Sequence, residues 1–274
     1  GPRRAAQSVL AMDVVRMDSK PLPLGGCKTP AKLAAWHHMA WQLSYSAHMP
    51  VAYQFEAQQL AQQIKHQAFR LSQQSNLWRL SDRKNPADNY EQLLVSQGEQ
   101  HIPWQLKISI APSMAAGLPH VSAYDVRWEL SAKGQGTSLF VGEQKINIDQ
   151  PRQVPTSSRP LTPVVLAEVQ AAVHGFVQGM ERELSCRVPQ FDVVKVRSDA
   201  VRIAGGAASG LKVGTQMVLT DRQQLPSRAL EPKAFDSLAL AEVVAVSDYY
   251  AELKMKTPNK MAGNANWVAI PHTP

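Results

Sequence analysis

The sequence predicts a mixed α+β chain in two parts: an α/β layer domain over residues 3–187 and a small β-barrel over 188–274. Three observations carry this reading. A long capped helix from Thr162 to Leu184 runs through Glu181-Arg-Glu-Leu-Ser-Cys186 straight into the tail and marks the join. The hydrophobic period changes to two from Trp104 onward, the period of strands with one wet face. Beyond Cys186 several short apolar runs alternate with turn residues, the pattern of a small barrel or sandwich. The 274 residues suffice for two ordinary domains, and 44% hydrophobic content supports a real core.

Taken in order, Ser8 to Arg16 is an apolar run of strand length. Asp18 to Cys27 carries loop chemistry, with Pro21, Pro23, Gly25 and Gly26. Pro30 is placed to open a helix, and Leu33, Trp36, His37, Ala40, Trp41 and Tyr45 follow at helical spacing. The segment 22–49 therefore reads as an insertion between the first strand and the main helix. Tyr53 to Ser72 is amphipathic, with Tyr53, Ala57, Leu60, Ile64, Ala68 and Leu71 in one stripe. Leu77 to Leu80 reads as a strand. Asn85 and Pro86 open a short helix that reaches Ser96.

Trp104–Ile110, Tyr124–Leu130 and Leu139–Ile148 alternate apolar and polar residues, the last two joined by the turn Ala132-Lys-Gly-Gln-Gly136. Pro151 to Pro163 is a proline-rich surface crossing. Thr162 then caps a helix with Pro163 in its first position. Leu166, Val169, Val173, Phe176, Val177, Met180 and Leu184 share its apolar face. In the tail, Asp192–Arg197, Ala200–Ile203, Gln216–Thr220, Ala239–Val246, Tyr250–Met255 and Trp267–Ile270 read as strands.

The formal charge of +7 would suit an anionic partner. Its lysines and arginines are scattered, however, with Arg3-Arg4 and Arg83-Lys84 the only adjacent basic pairs. No tract alternates basic and aromatic residues as a single-strand groove does, so nucleic acid is not the expected partner. No apolar run of about 20 residues is present, so no membrane span is expected. The Gly1-Pro2 start reads as the remnant of a protease cut, so the lack of an export signal here argues nothing about export.

The chemistry-bearing residues form no motif. Gly205 to Gly214 lacks the Gly-x-x-x-x-Gly-Lys-Ser/Thr spacing and no helix follows it, so it reads as a turn between strands rather than a phosphate loop. His37, His38, His48 and His66 lie near one another, but neighbours on a helix cannot face one metal, and His37 reads as packed beside Trp41. There is no Gly-x-Ser-x-Gly elbow. Glu181 and Glu183 sit on different helix faces and read as solvated; Asp248-Tyr-Tyr250 reads as a hairpin turn with aromatic anchors. No catalytic residue, cofactor or metal ligand is expected. Trp36 and Trp41 are candidate anchors for a partner subunit, against the alternative that their segment folds onto its own core. The two cysteines, Cys27 and Cys186, match no metal spacing and leave open either two buried thiols or one disulfide.

Met180-Glu-Arg-Glu-Leu-Ser-Cys-Arg187 resembles the acidic helix end of the FlgT family, periplasmic proteins of the flagellar H ring. Val193–Ile203 followed by Ser209-Gly-Leu-Lys-Val-Gly214 is similar to that family's C-terminal barrel, and Leu240–Met255 and Trp267–Ile270 fit its last strands. Over Ala5 to Gln150 the order of strand, helix and hairpin resembles its middle domain, which is like the N-terminal domain of TolB. The family's own N-terminal domain and any counterpart of the 22–49 insertion are missing from the match.

The resemblance implies a TolB-N-like layer followed by an SH3-like barrel, without catalysis. It implies a periplasmic scaffold of the basal body, partnered by ring or stator proteins in a ring-shaped assembly. An oxidising compartment favours a Cys27–Cys186 disulfide. That bond would close a loop of roughly 160 residues and add roughly 4–5 kcal/mol in the chain-entropy picture. The competing readings are an adaptor of another envelope complex, in secretion or cell-wall machinery, and a hydrolase whose site has no sequence signature.

Overall fold

A computed structural model describes residues 35–81, 102–114, 121–132, 136–148, 160–197, 200–222, 238–257 and 266–272. The predicted strand Ser8–Arg16, the loop 18–27, the helix Pro86–Ser96, the turn residues 133–135 and most of the proline-rich crossing lie outside them. What is described is a mixed α+β fold: a five-stranded sheet with two helices, then a closed six-stranded barrel.

The sheet has the order β2-β1-β3-β4-β5. Its strands are β1 (His37–Tyr45), β2 (Trp78–Leu80), β3 (Trp104–Met114), β4 (Val121–Ala132) and β5 (Ser138–Asn147). β1 pairs in parallel with both β2 and β3, whereas β3, β4 and β5 are antiparallel. The first α-helix, α1 (Val51–Gln74), makes the crossover from β1 to β2. The second, α2 (Pro163–Leu184), returns from β5.

β1 corrects the sequence reading. The stretch expected to be helical up to Tyr45, within the supposed insertion 22–49, supplies an inner strand of the sheet. Only its first three residues are buried on both faces, and there the strand reads as a continuous buried run rather than an alternating one. Residues 37–39 are all buried, and only from Met39 onward do Met39, Trp41 and Leu43 turn to the helix side. Short apolar runs of this kind fit helical spacing by chance.

The helices follow the expected stripes. Ala57, Leu60, Ile64 and Ala68 of α1 are buried. Thr162 accepts a hydrogen bond from the Val165 N–H at 3.4 Å and so caps α2. On α2 the buried face begins at Val165, and Leu166, placed there by the sequence reading, is exposed.

Glycine lets α2 approach β5 closely. A Cβ on Gly142 would lie 2.5 Å from the Phe176 ring, and one on Gly179 would lie 2.8 Å from the Phe140 ring. The opposite face of the sheet is wet, as its alternation predicts. There Ser44 and Ser109 share a hydrogen bond of 2.8 Å, Gln105 bonds Gln42, and Arg127 pairs with Glu143 at 2.8 Å.

The barrel closes in the order β10-β7-β6-β11-β8-β9. Its strands are β6 (Phe191–Val196), β7 (Ala200–Ile203), β8 (Gln216–Asp221), β9 (Ala239–Val246), β10 (Ala251–Met255) and β11 (Trp267–Pro271). All pairings are antiparallel, and the pairing of β9 with β10 completes the circle. Closure settles the choice between barrel and sandwich and removes free edges from the ring of strands. Among the described residues no helix is long and apolar enough to cross a membrane.

Candidate functional site: the junction of sheet and barrel

The chemistry-bearing side chains gather where β1 meets the barrel. The segment entering β1 leaves Ala35 within the barrel's own core cluster. The next residue, Trp36, crosses the junction. Its backbone N–H donates to the Ser209 carbonyl at 3.0 Å, and its indole N–H donates to the Ala208 carbonyl at 2.8 Å. Both acceptors lie in the short 3-10 turn Ala207–Ser209 between β7 and β8.

That turn is the glycine-rich stretch read from the sequence as a turn between strands, and the structure places it so. Gly210 has φ +83°, open to glycine with little strain, and the Trp36 ring lies 2.9 Å from where its Cβ would be. Gly206 sits against backbone: its Cβ would fall 2.0 Å from the Ser247 carbonyl oxygen.

On the other side of Trp36, the Arg79 guanidinium lies 4.3 Å from the ring centroid, a cation–π contact. Arg79 also donates to the carbonyls of Ser72, at 2.6 Å, and Trp78, at 2.9 Å, and to that of Ser75, closing the C-terminal end of α1. One arginine thus fastens helix, edge strand and junction tryptophan.

His37 and His38 follow, 1% and 4% exposed, on opposite sides of the strand. The His37 ring stands edge-on to Trp104 at 5.7 Å, and its Nε2 lies 3.2 Å from the Arg187 carbonyl in the segment joining α2 to β6. A carbonyl only accepts, so Nε2 carries the proton and the buried Nδ1, which has no partner, is the bare nitrogen. His38 stacks on Tyr249 of the β9–β10 turn, with centroids 6.3 Å apart and rings 17° from parallel. Burial drives both imidazoles down to about 4; for His37 the Arg187 charge adds to this and the hydrogen bond to its carbonyl opposes it.

Glu181 corrects a second expectation. Its carboxylate is not simply solvated: Oε1 accepts from the Ser75 hydroxyl at 2.6 Å and from the Trp78 indole N–H at 2.9 Å. It ties the end of α2 to β2 beside the junction. Glu183 is exposed, as expected.

Of the two candidate partner anchors, Trp41 is 8% exposed and packs edge-on against Trp128 at 6.4 Å inside the sheet domain. Trp36 is engaged by the barrel and by Arg79, as above. Both tryptophans are thus held by the chain itself. Cys186 is disulfide-bonded and no described cysteine is free, while Cys27 lies outside the described residues. Among the described residues no three of His, Cys, Asp and Glu come together as metal ligands would.

Sequence reasoning named Trp36 but missed Arg79, His38, Tyr249 and Arg187 as its companions. They come from four separate segments, and only Gly210 and the Asp248-Tyr-Tyr250 turn left a local signal.

No family model matches the chain, and no curated protein matches it. Solved structures give distant likenesses only. The PelC dodecamer from Paraburkholderia phytofirmans is 9% identical with a TM-score of 0.28, over 58% of this chain and 94% of that one. The hypothetical protein CT253 from Chlamydia trachomatis is 11% identical with a TM-score of 0.29, over 52% and 98%. Protein XCC0632 from Xanthomonas campestris, of family DUF330, is 11% identical with a TM-score of 0.28, over 57% and 88%. Likeness at this level carries no functional argument.

Proposed function

We propose that this chain is a non-catalytic periplasmic scaffold of the bacterial flagellar basal body, of the H-ring type, supporting outer-ring assembly and stator placement. In this reading the sheet domain is TolB-N-like and the barrel SH3-like. The observation that carries it is the junction. Two small domains within one chain ordinarily move relative to each other. Here three consecutive residues, Trp36 to His38, are each engaged by the barrel or by the segment leading into it. A fastened pair of domains holds its shape under load, as a ring component must.

The same reading includes a Cys27–Cys186 disulfide. Cys186 is bonded, and the sequence holds only one other cysteine. Thiol titration of the denatured protein without reductant should find no reactive thiols; two would end that part of the reading.

The deciding experiment is deletion of the gene, followed by a motility assay and electron microscopy of purified basal bodies. Loss of swimming together with loss of an outer ring or its peripheral density is expected. Intact basal bodies and normal swimming would overturn the flagellar assignment.

A further inference from the structure

His38 gives the junction a property that the scaffold reading does not require. His37 and His38 are consecutive, both buried, and face in opposite directions. His37 meets the carbonyl of Arg187, whose own N–H donates to the Leu184 carbonyl at the end of α2, so His37 is held within the sheet half. His38 meets Tyr249 in the barrel itself and is seated there only while sheet and barrel are closed together. We propose that this junction is an acid-released latch, shut only while the His38 imidazole is neutral, so that protonation frees the barrel from the sheet without unfolding either.

The described surroundings favour neutrality. Facing His37 are Trp104 of β3, the Arg187 segment, and Trp78, its register partner on β2. The Arg187 cation lowers its pKa further. The carboxylate of Glu181 reaches Trp78 and is spent on that indole and on Ser75. Facing His38 are Tyr249 and, as its register partner on β2, Arg79, whose cation is spread over the Trp36 ring. Asp248 precedes Tyr249 in the same turn and gives its backbone carbonyl to the Ala208 N–H.

The sign follows from linkage. The closed junction holds the His38 imidazole near 4 and the open one releases it to its ordinary value of 6.5. The open form therefore binds more protons between these values, and closure weakens as pH falls through that window. Above pH 6.5 the latch keeps its full strength. Across the window the opening equilibrium rises by roughly 10²-fold.

The test is small-angle scattering of the full chain from pH 8 to pH 4, with far-UV circular dichroism on the same samples. An increase in radius of gyration within the window, with the dichroism unchanged, is expected. His38→Phe keeps the stacking and cannot take a proton, so it should stay compact at every pH tested; His38→Leu, which cannot take a proton either, serves if His38→Phe does not fold. Three results overturn the proposal: a wild-type radius that stays constant to pH 4, expansion only together with loss of dichroism, or variants that open at the wild-type pH. None of these readouts depends on whether the protein belongs to a flagellum.

Discussion

The two domains solve the problem of filling an interior in opposite ways. Beneath its helices the sheet packs the largest side chains of the molecule, with Trp78, Trp128 and Tyr124 all fully or almost fully buried. The barrel fills its lumen with Ala239, Ala241, Ala251 and Ala269 among a few Val, Leu and Met residues, and among the described residues Phe191 is its one fully buried aromatic. The difference is geometric. The space between a helix layer and a sheet is wide enough to take whole indoles, and Trp128 fills it tilted against Phe176 and edge-on to Trp41. A six-stranded ring is narrow, and its inward positions take small residues. Where Phe191 does enter the barrel, Gly205 makes room: a Cβ there would lie 2.2 Å from the ring.

The sharpest way to break this comparison is to empty one interior and watch the other. Trp128 lies 4.7 Å from the Phe176 ring, centroid to centroid, and meets Trp41 edge-on. Trp128→Ala should cost about 3–5 kcal/mol, because a helix layer cannot collapse into so large a cavity. Urea unfolding followed by hydrogen exchange resolved to each domain measures it. The sheet should lose its protection at lower urea while the barrel keeps its own. If both domains lose protection together, they form a single cooperative core and the contrast fails.

The barrel is more easily broken by adding than by removing. Gly206→Ala places a methyl group 2.0 Å from the Ser247 carbonyl oxygen and 2.7 Å from that of Asp248. Both obstacles are backbone, in the turn that carries Tyr249. The change should destabilise the barrel by about 1–3 kcal/mol, the usual range for overpacking. It should also weaken the stacking of Tyr249 on His38, raising the pH at which the latch opens. A barrel midpoint within error of wild type would mean that the β9–β10 turn yields freely and is not the rigid half of the junction.

These contrasts were unequally legible in the sequence. Helix α2 announced itself through Thr162, Pro163 and a stripe ending at Leu184, because caps and helical period are local properties. The wet-faced strands β3, β4 and β5 did so by alternation. The barrel strands were readable one by one, but their closure was not, since it rests on the pairing of β9 with β10 and of β6 with β11. β1 was misread because its first three residues are buried on both faces, which erases the period where the strand begins. The junction could not be read as one site. It joins Trp36 to Ala208 across 172 residues and His37 to Arg187 across 150, and no local propensity reports a partner at that distance. Glu181 fell to the same cause: two exposed-looking glutamates flank Arg182, and only tertiary packing brings Trp78 to one of them.

The smallest expected effect concerns the barrel's outer wall, where the contrast between the interiors should vanish. On neighbouring strands, Arg202 donates to Glu252 at 2.7 Å, both side chains half-exposed. That hydrogen bond, with the Arg202 charge behind it and a contribution from Arg197, holds the Glu252 carboxyl below its ordinary range. A depressed carboxyl lends stability above its unfolded value and loses it as pH falls through the folded one. In an exposed pair, water and salt screen most of that contribution. Glu252→Gln should therefore leave the barrel's unfolding midpoint unchanged in high salt and flatten only its acid dependence in low salt. A clear loss of stability that persists in high salt would show the wall pair to be shielded from solvent. The barrel's stability would then rest on its surface as much as on its small-residue interior.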